Sequence, residues 1–333
     1  MLGRAVKEAS GVVDRRLFIT AFLPSLLFCA MLAATVTAAR QHTFKASLDW
    51  WTTQGGSAQV LMLLTLFVSA ALLAQILAVS RFLIVRGFEG HWTVLRSIRI
   101  APLGLFLHRR RFTRAATDPA SLTYPPPTMA EEIQPTRLGN ILRAGELYPL
   151  ARYGIDAVLI WPRLFHVLPE RLLSLLIDAR AQLELMLTVS SLSGTFSLVA
   201  GGYTYWASDS TTLFLGCLWG GAGLAWLSYR ASLSIAVAYA QQIAVAFDLY
   251  RNDLIALLGE VRPSPADEHE YWERLSIFWK TALTRRAPTA RQVTPVRIQA
   301  GTRVMLAPSL VSTYLSFILL IGLFGSVAAR SLS

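Results

Sequence analysis

His269 and Glu273 stand four residues apart beside Asp267, Glu268 and Glu270. On a helix that spacing puts an imidazole and a carboxylate on one face, where they could hold a cation. Metal sites draw on three or four ligands, and His42, His91, His108 and His166 are scattered without ligand spacing. Acidic residues in a helix's first turn are already accounted for by the helix dipole, so the expectation is no metal and no cofactor. Glu89, Glu146 and Asp156 are the remaining carboxylates that could serve as acids or bases, and a lipid-acting enzyme would rely on Glu146 or Asp156. Nothing pairs them by spacing, and Asp156, just ahead of an apolar run, reads as a helix N-cap. The chain has no P-loop, GxGxxG, HExxH or GxSxG motif. Cys29 and Cys217 fall in apolar runs at different depths, which argues for packing rather than a disulfide. No catalytic residue is expected.

Composition sets the class. Of 333 residues, 54% are hydrophobic and 15% charged, against roughly 25% charged in a soluble domain. The apolar residues come in blocks long enough to cross a bilayer. The chain therefore reads as an all-α, multi-pass integral membrane protein with five transmembrane helices, at residues 17–39, 59–80, 185–206, 213–229 and 308–329. The first follows Arg4, Lys7, Arg15 and Arg16 and ends in Thr37, Ala38 and Ala39, as a signal peptide also would; its length favours an uncleaved anchor. With the N-terminus inside, 28 of the 31 lysines and arginines face the cytoplasm, leaving only Arg40, Lys45 and Arg330 outside. An N-in, C-out topology thus satisfies the positive-inside rule at every loop. The net charge of +11 belongs to flanks facing anionic lipid rather than to nucleic acid. Trp50, Trp51, Tyr203, Tyr205 and Trp206 suit an outer aromatic belt. All five apolar cores lack Asp, Glu, Lys, Arg and His, which disfavours coupled transport.

Residues 1–16 form the cytoplasmic N-terminus and residues 17–85 the first transmembrane hairpin. A cytoplasmic helical and interfacial module follows at 86–169. Its opening segment alternates apolar residues with Arg96 and Arg99 and ends in Arg109, Arg110 and Arg111; these five are expected to contact lipid headgroups. Residues 113–127 form a proline-rich linker, and Thr128 and Glu131 have capping-box spacing for a short helix. Leu138, Ile141, Leu142 and Leu147 make the stripe of a helix that Pro149 should end, with Gly139, Ala144 and Gly145 permitting close approach. Residues 155–168 are apolar but too short to span. They either pack against the long helices or lie in the headgroup layer with Trp161 and Arg163 as interfacial anchors.

Residues 170–259 are predicted to form a long helical hairpin extending into the cytoplasm. As a helix, residues 213–259 would reach about 70 Å, more than twice the ~30 Å hydrocarbon core. They leave the bilayer near Arg230. Residues 170–206, also free of proline, are the expected antiparallel neighbour. Inside the membrane Ser193, Ser197 and Gly201 recur every fourth residue, as do Gly216 with Gly220 and Gly221 with Ala225; such rows let helices approach closely. Beyond it Leu233, Ala236, Ala240, Ile243, Phe247, Tyr250, Leu254 and Leu257 form a heptad seam, whose partner is either the first half of the hairpin or a second copy of the chain. Gly259 and Pro263 stop the helix. Ser264, Pro265 and Asp267 start another, carrying Trp272, Leu275, Trp279 and Leu283 on one face. Residues 260–307 complete the cytoplasmic part with a basic segment, and 308–333 hold the fifth span and a short outer tail.

The stretches RGFEGHW, TRLGNILRAGELYPLARYGIDAVLIWPRLFHVLP and SYRASLSIAVAYAQQIAVAFDLYRNDLIALLG resemble a group of uncharacterised multi-pass membrane proteins of actinobacterial type. The resemblance implies the topology and a bacterial cytoplasmic membrane, and carries over no site. The expected function is non-enzymatic: a scaffold or partner-binding component acting through its cytoplasmic helical module. Its partners would be anionic membrane lipids, a cytoplasmic protein and a second copy of itself. An oligomeric channel or pore is the alternative, and a lipid-acting membrane enzyme the third reading.

Overall fold

Runs of apolar residues too long for a soluble core become long helices in the structure, a computed structural model describing residues 18–41, 44–90, 100–115 and 122–284. Every regular element among the described residues is helical. In chain order these are α1 (Leu23–Gln41), α2 (Phe44–Thr53), α3 (Gly56–Glu89) and α4 (Ile100–Ala115). After them come α5 (Arg137–Tyr153), α6 (Ala157–Leu164), α7 (Glu170–Ala207), α8 (Thr211–Leu257) and α9 (Glu268–Thr284). Among the described residues, four helical stretches are long and apolar enough to cross a membrane: Phe18–Arg40, Gly56–Glu89, Glu170–Ala207 and Thr211–Leu257. The fifth expected span, the N-terminal 1–16 and the basic segment from 285 to 307 lie outside the described residues.

A π-helical turn, Phe18–Phe22, leads into α1. Pro24 has no N–H for the Thr20 carbonyl four residues back, and a wider turn relieves that clash. Helix α2, which the sequence pattern did not suggest, bridges towards α3. Helix α3 runs well past its apolar stretch to Gly90, whose φ of 94° supplies the left-handed cap.

Helices α7 and α8 pair along their length through a short turn in which the Ser210 hydroxyl accepts the Leu213 N–H at 3.3 Å. Three buried clusters are strung along this hairpin. At the apolar end Leu32, Phe196, Ala200 and Cys217 join α1 to both arms. In the middle, Val85 of α3 and Leu138, Ile141 and Leu142 of α5 pack on Leu183, Leu187, Leu233, Ala236 and Ala240. At the polar end, Ile155, Ile160 and Leu164 meet Leu172, Leu176, Phe247, Leu254 and Trp272.

Several local expectations are corrected. Pro149 does not end its helix: α5 continues to Tyr153 and stops at Gly154, φ 75°, where the Gly154 and Ile155 N–H groups bond back to Leu150 and Pro149 carbonyls. The lost hydrogen bond is offset because Pro149 itself is buried in the packing. Thr128 and Glu131 form no capping box, since the chain there is a 3-10 turn, Pro127–Glu132, with no side-chain cap. The heptad seam also ends early: Leu257 is 72% exposed. At the described end of the proline-rich linker, the Tyr124 hydroxyl meets His108 Nδ1 at 3.0 Å and its ring packs on Phe112.

Candidate functional site

Helix α5 lies across the hairpin because three small residues allow it. A methyl built on Gly145 would sit 2.9 Å from Ala240 Cβ and 3.1 Å from its Cα, so the two backbones are in contact. At the N-terminal end, a methyl on Gly139 would collide with the Glu89 carbonyl, which places the end of α3 against α5. The seam on α8 is therefore shared between α7 and α5. That close approach brings Tyr148 and Tyr153 onto α8.

Both phenols donate to Asp248. Tyr148 Oη lies 3.0 and 3.1 Å from the two carboxylate oxygens, and Tyr153 Oη lies 2.7 Å from Oδ1. One turn on, Arg251 stacks on the Tyr153 ring at 4.0 Å and donates from Nε to Glu268 Oε1 at 2.7 Å. Arg152 Nε donates to the Tyr153 hydroxyl at 3.2 Å. The chain of contacts ties α5, α8 and α9 together. Burial, then the Asp248 hydrogen bond, pushes the Tyr148 phenol up to about 12, because its ionised form would face a carboxylate. The same causes raise Tyr153. No spacing pattern reveals this network, whose members are 95 to 100 residues apart; its one sequence signal is Asp248 itself, a carboxylate beside the heptad seam.

The carboxylates first considered for chemistry are all engaged. Asp156 caps α6 by accepting the Leu159 N–H and pairs with Lys280 Nζ at 2.7 Å. Glu146 pairs with Arg143 at 2.8 Å, and Glu89 lies within its electrostatic reach. The His269 ring packs on Gly154, where a methyl would come within 2.8 Å of it. Among the described residues no group of three His, Cys, Asp or Glu is arranged to hold a metal. Ahead of α9, the Ser264 hydroxyl accepts the Asp267 N–H at 3.4 Å and donates to Asp267 Oδ2 at 2.7 Å, the local pairing expected of a cap.

Trp161 and Arg163, expected as interfacial anchors, both make contacts within the helical body. Trp161 packs on Phe247 with ring centres 5.9 Å apart, and the Arg163 guanidinium lies 4.0 Å over Trp279. Residues 155–168 thus belong to the helical body, because Ile155, Ile160 and Leu164 are needed to cover Phe247 and Trp272. Phe247 is fully buried and Tyr250 partly so, both in that cluster.

In the apolar half, Ser193 and Ser197 meet Gly221: a methyl on Gly221 would lie 2.8 Å from Ser197 Cβ and 2.9 Å from the Ser193 carbonyl. Ser197 Oγ donates to the Leu218 carbonyl at 2.6 Å, and Gly201 faces Leu218. Gly216 and Gly220 take no part in this contact with α7. A methyl on either meets nothing within 4 Å, so they lie on the other side of α8 from this contact. Arg109 and Arg110 are exposed on α4, Arg110 stacking on Phe106 at 4.5 Å. The side chain of Arg111 and all of Arg96 and Arg99 lie outside the described residues.

What the described residues define is a class: all-helical, with four helices long and apolar enough to cross a membrane and a helical body at one end of the α7–α8 hairpin. Comparison with protein-family models, curated proteins and solved structures finds no match.

Proposed function

We propose that this is a five-span protein of a bacterial cytoplasmic membrane, N-terminus in and C-terminus out, of the actinobacterial multi-pass type. In this reading its cytoplasmic helical body is a non-enzymatic scaffold that binds a partner protein. The observation that carries the reading is the open end of the α7–α8 hairpin, where α8 terminates. There the body is locked by the Asp248 and Arg251 network, yet Leu257, Leu258 and Val261 stay exposed, Val261 at 90%. Apolar side chains held outward on a rigid frame, beyond the apolar half of the hairpin, suit a protein partner. Charge supports the orientation, since the loops assigned to the cytoplasm hold nearly all the lysines and arginines. Chemical cross-linking and affinity isolation from native-lipid discs test the reading. A stoichiometric partner lost on Leu257→Ser with Val261→Ser is expected, and recovery of no stable partner, including a second copy, would overturn it.

The oligomeric channel is favoured by one observation: Gly216, Gly220 and Gly223 present open backbone on α8, the surface small residues offer to another transmembrane helix. Ion flux through reconstituted vesicles, abolished by Gly220→Leu, would establish it. A monomer without flux would remove it.

A further inference from the structure

Three apolar runs turn polar at one level of the fold. Thr20 opens the first candidate span, Arg81 follows the apolar run of α3, and Glu184 directly precedes that of α7. All three line one partly open cavity of about 210 Å³, with Arg180 and Tyr239 further from the apolar runs and Trp161 in the wall. The Glu184 carboxylate accepts from Arg180 Nε at 2.8 Å and is 3.7 Å from Arg81 Nη1. Arg81 Nε is buried and has no hydrogen-bond partner. The cavity lining itself carries two guanidiniums, Arg81 and Arg180, and one carboxylate, Glu184. One positive charge is in excess, and a buried guanidinium N–H lacks an acceptor, which is costly.

The geometry points to a binding site for the phosphate of an anionic phospholipid, held by Arg81 and Arg180 in this cavity. Guanidinium forks match phosphate oxygens, and the level of the cavity is where headgroups lie. Its volume is below the ~300–1,000 Å³ of pockets that enclose drug-sized ligands, so a headgroup enters while the acyl chains remain outside. Phe18 and Phe82, exposed beside Thr20 and Arg81 in sequence, supply apolar surface for those chains. The site rests on the membrane placement of these helices and is independent of the scaffold role. It is also distinct from the exposed arginines of α4.

The full-length chain in discs of phosphatidylcholine, with phosphatidylglycerol added as probe and native mass spectrometry as readout, tests the site. Phosphatidylglycerol is expected to bind about tenfold more tightly than an added phosphatidylcholine, which has the same phosphate charge but adds a choline cation that the excess guanidinium charge repels. Arg81→Gln should bring the ratio close to one, while Arg274→Gln, an exposed arginine of α9, leaves it unchanged. Should Arg81→Gln fail to fold, wild-type chain with a photoreactive phosphatidylglycerol headgroup decides: labelling of Trp161 to Arg180 peptides is expected, and labelling confined to α4 overturns the site. A preference that survives Arg81→Gln refutes it, and complete competition by millimolar inorganic phosphate assigns the cavity to the free anion instead. Failure to enter the discs at all would refute the membrane placement, whereas incorporation without preference refutes only this site.

Discussion

Two adjacent glycines in α8 should respond oppositely to the same substitution. Gly221→Ala puts a methyl 2.8 Å from Ser197 Cβ and 2.9 Å from both Ser197 Cα and the Ser193 carbonyl. Carbon atoms rest at about 3.5–4.0 Å, so the arms of the hairpin must part by about 0.7 Å or more. Two of those three atoms are backbone, which cannot rotate away. The separation stretches the Ser197 to Leu218 hydrogen bond of 2.6 Å and the Ser190 to Ala225 bond of 2.9 Å. Overpacking of this kind costs about 1–3 kcal/mol, and a weakened interhelical bond in a membrane adds about 0.6 kcal/mol. Alanine returns up to about 1 kcal/mol in helix propensity, leaving a net loss of about 1–3 kcal/mol. Gly220→Ala collects the propensity gain alone, because its methyl meets nothing within 4 Å. Equilibrium unfolding in mixed micelles, followed by circular dichroism, should therefore separate the two variants by about 2–4 kcal/mol. Equal stabilities, within about 0.5 kcal/mol, would refute the pairing of α7 with α8 on the Ser197–Gly221 face.

Other perturbations follow from the same packing. Gly145→Ala at the Ala240 contact should lower stability by about 1–3 kcal/mol and weaken protection of α5 amides in hydrogen exchange. Trp272→Ala should cost about 3–5 kcal/mol in chemical denaturation, since its side chain is fully buried. Trp272→Phe should cost much less, as the indole N–H has no hydrogen-bond partner to lose. Tyr148 titrates near 10 when unfolded and about 12 in the fold. Its protonated form is the one the fold favours, so that stabilisation is complete below pH 10 and is lost as pH rises through 12. The unfolding midpoint should fall between pH 10 and 12 more steeply for the wild type than for Tyr148→Phe; parallel profiles would remove Asp248 as its acceptor.

Periodicity and composition alone indicated a helical chain with apolar runs long enough to cross a membrane, because a bilayer demands continuous apolar runs and a helix satisfies every backbone group within one segment. They also placed the end of α8 at Gly259, the Asp156 and Ser264 caps and the buried faces of Phe247 and Trp272, all of which depend on neighbours a few residues away. Which small residues meet, and which side chains share a site, depended on contacts between distant segments. Gly216 with Gly220 and Gly221 with Ala225 are equivalent as spacing patterns; only the rotation of α8 against Ser197 separates them. Pro149 reads as a stop until its burial is known. Trp161 and Arg163 have the chemistry of membrane anchors, yet Phe247 and Trp279 claim them. The Asp248 network and the Arg81–Glu184–Arg180 cavity join residues from three or more helices, and sequence spacing carries no information about such encounters. Local order follows from adjacent residues, whereas a site of this kind exists only once the helices have chosen their faces.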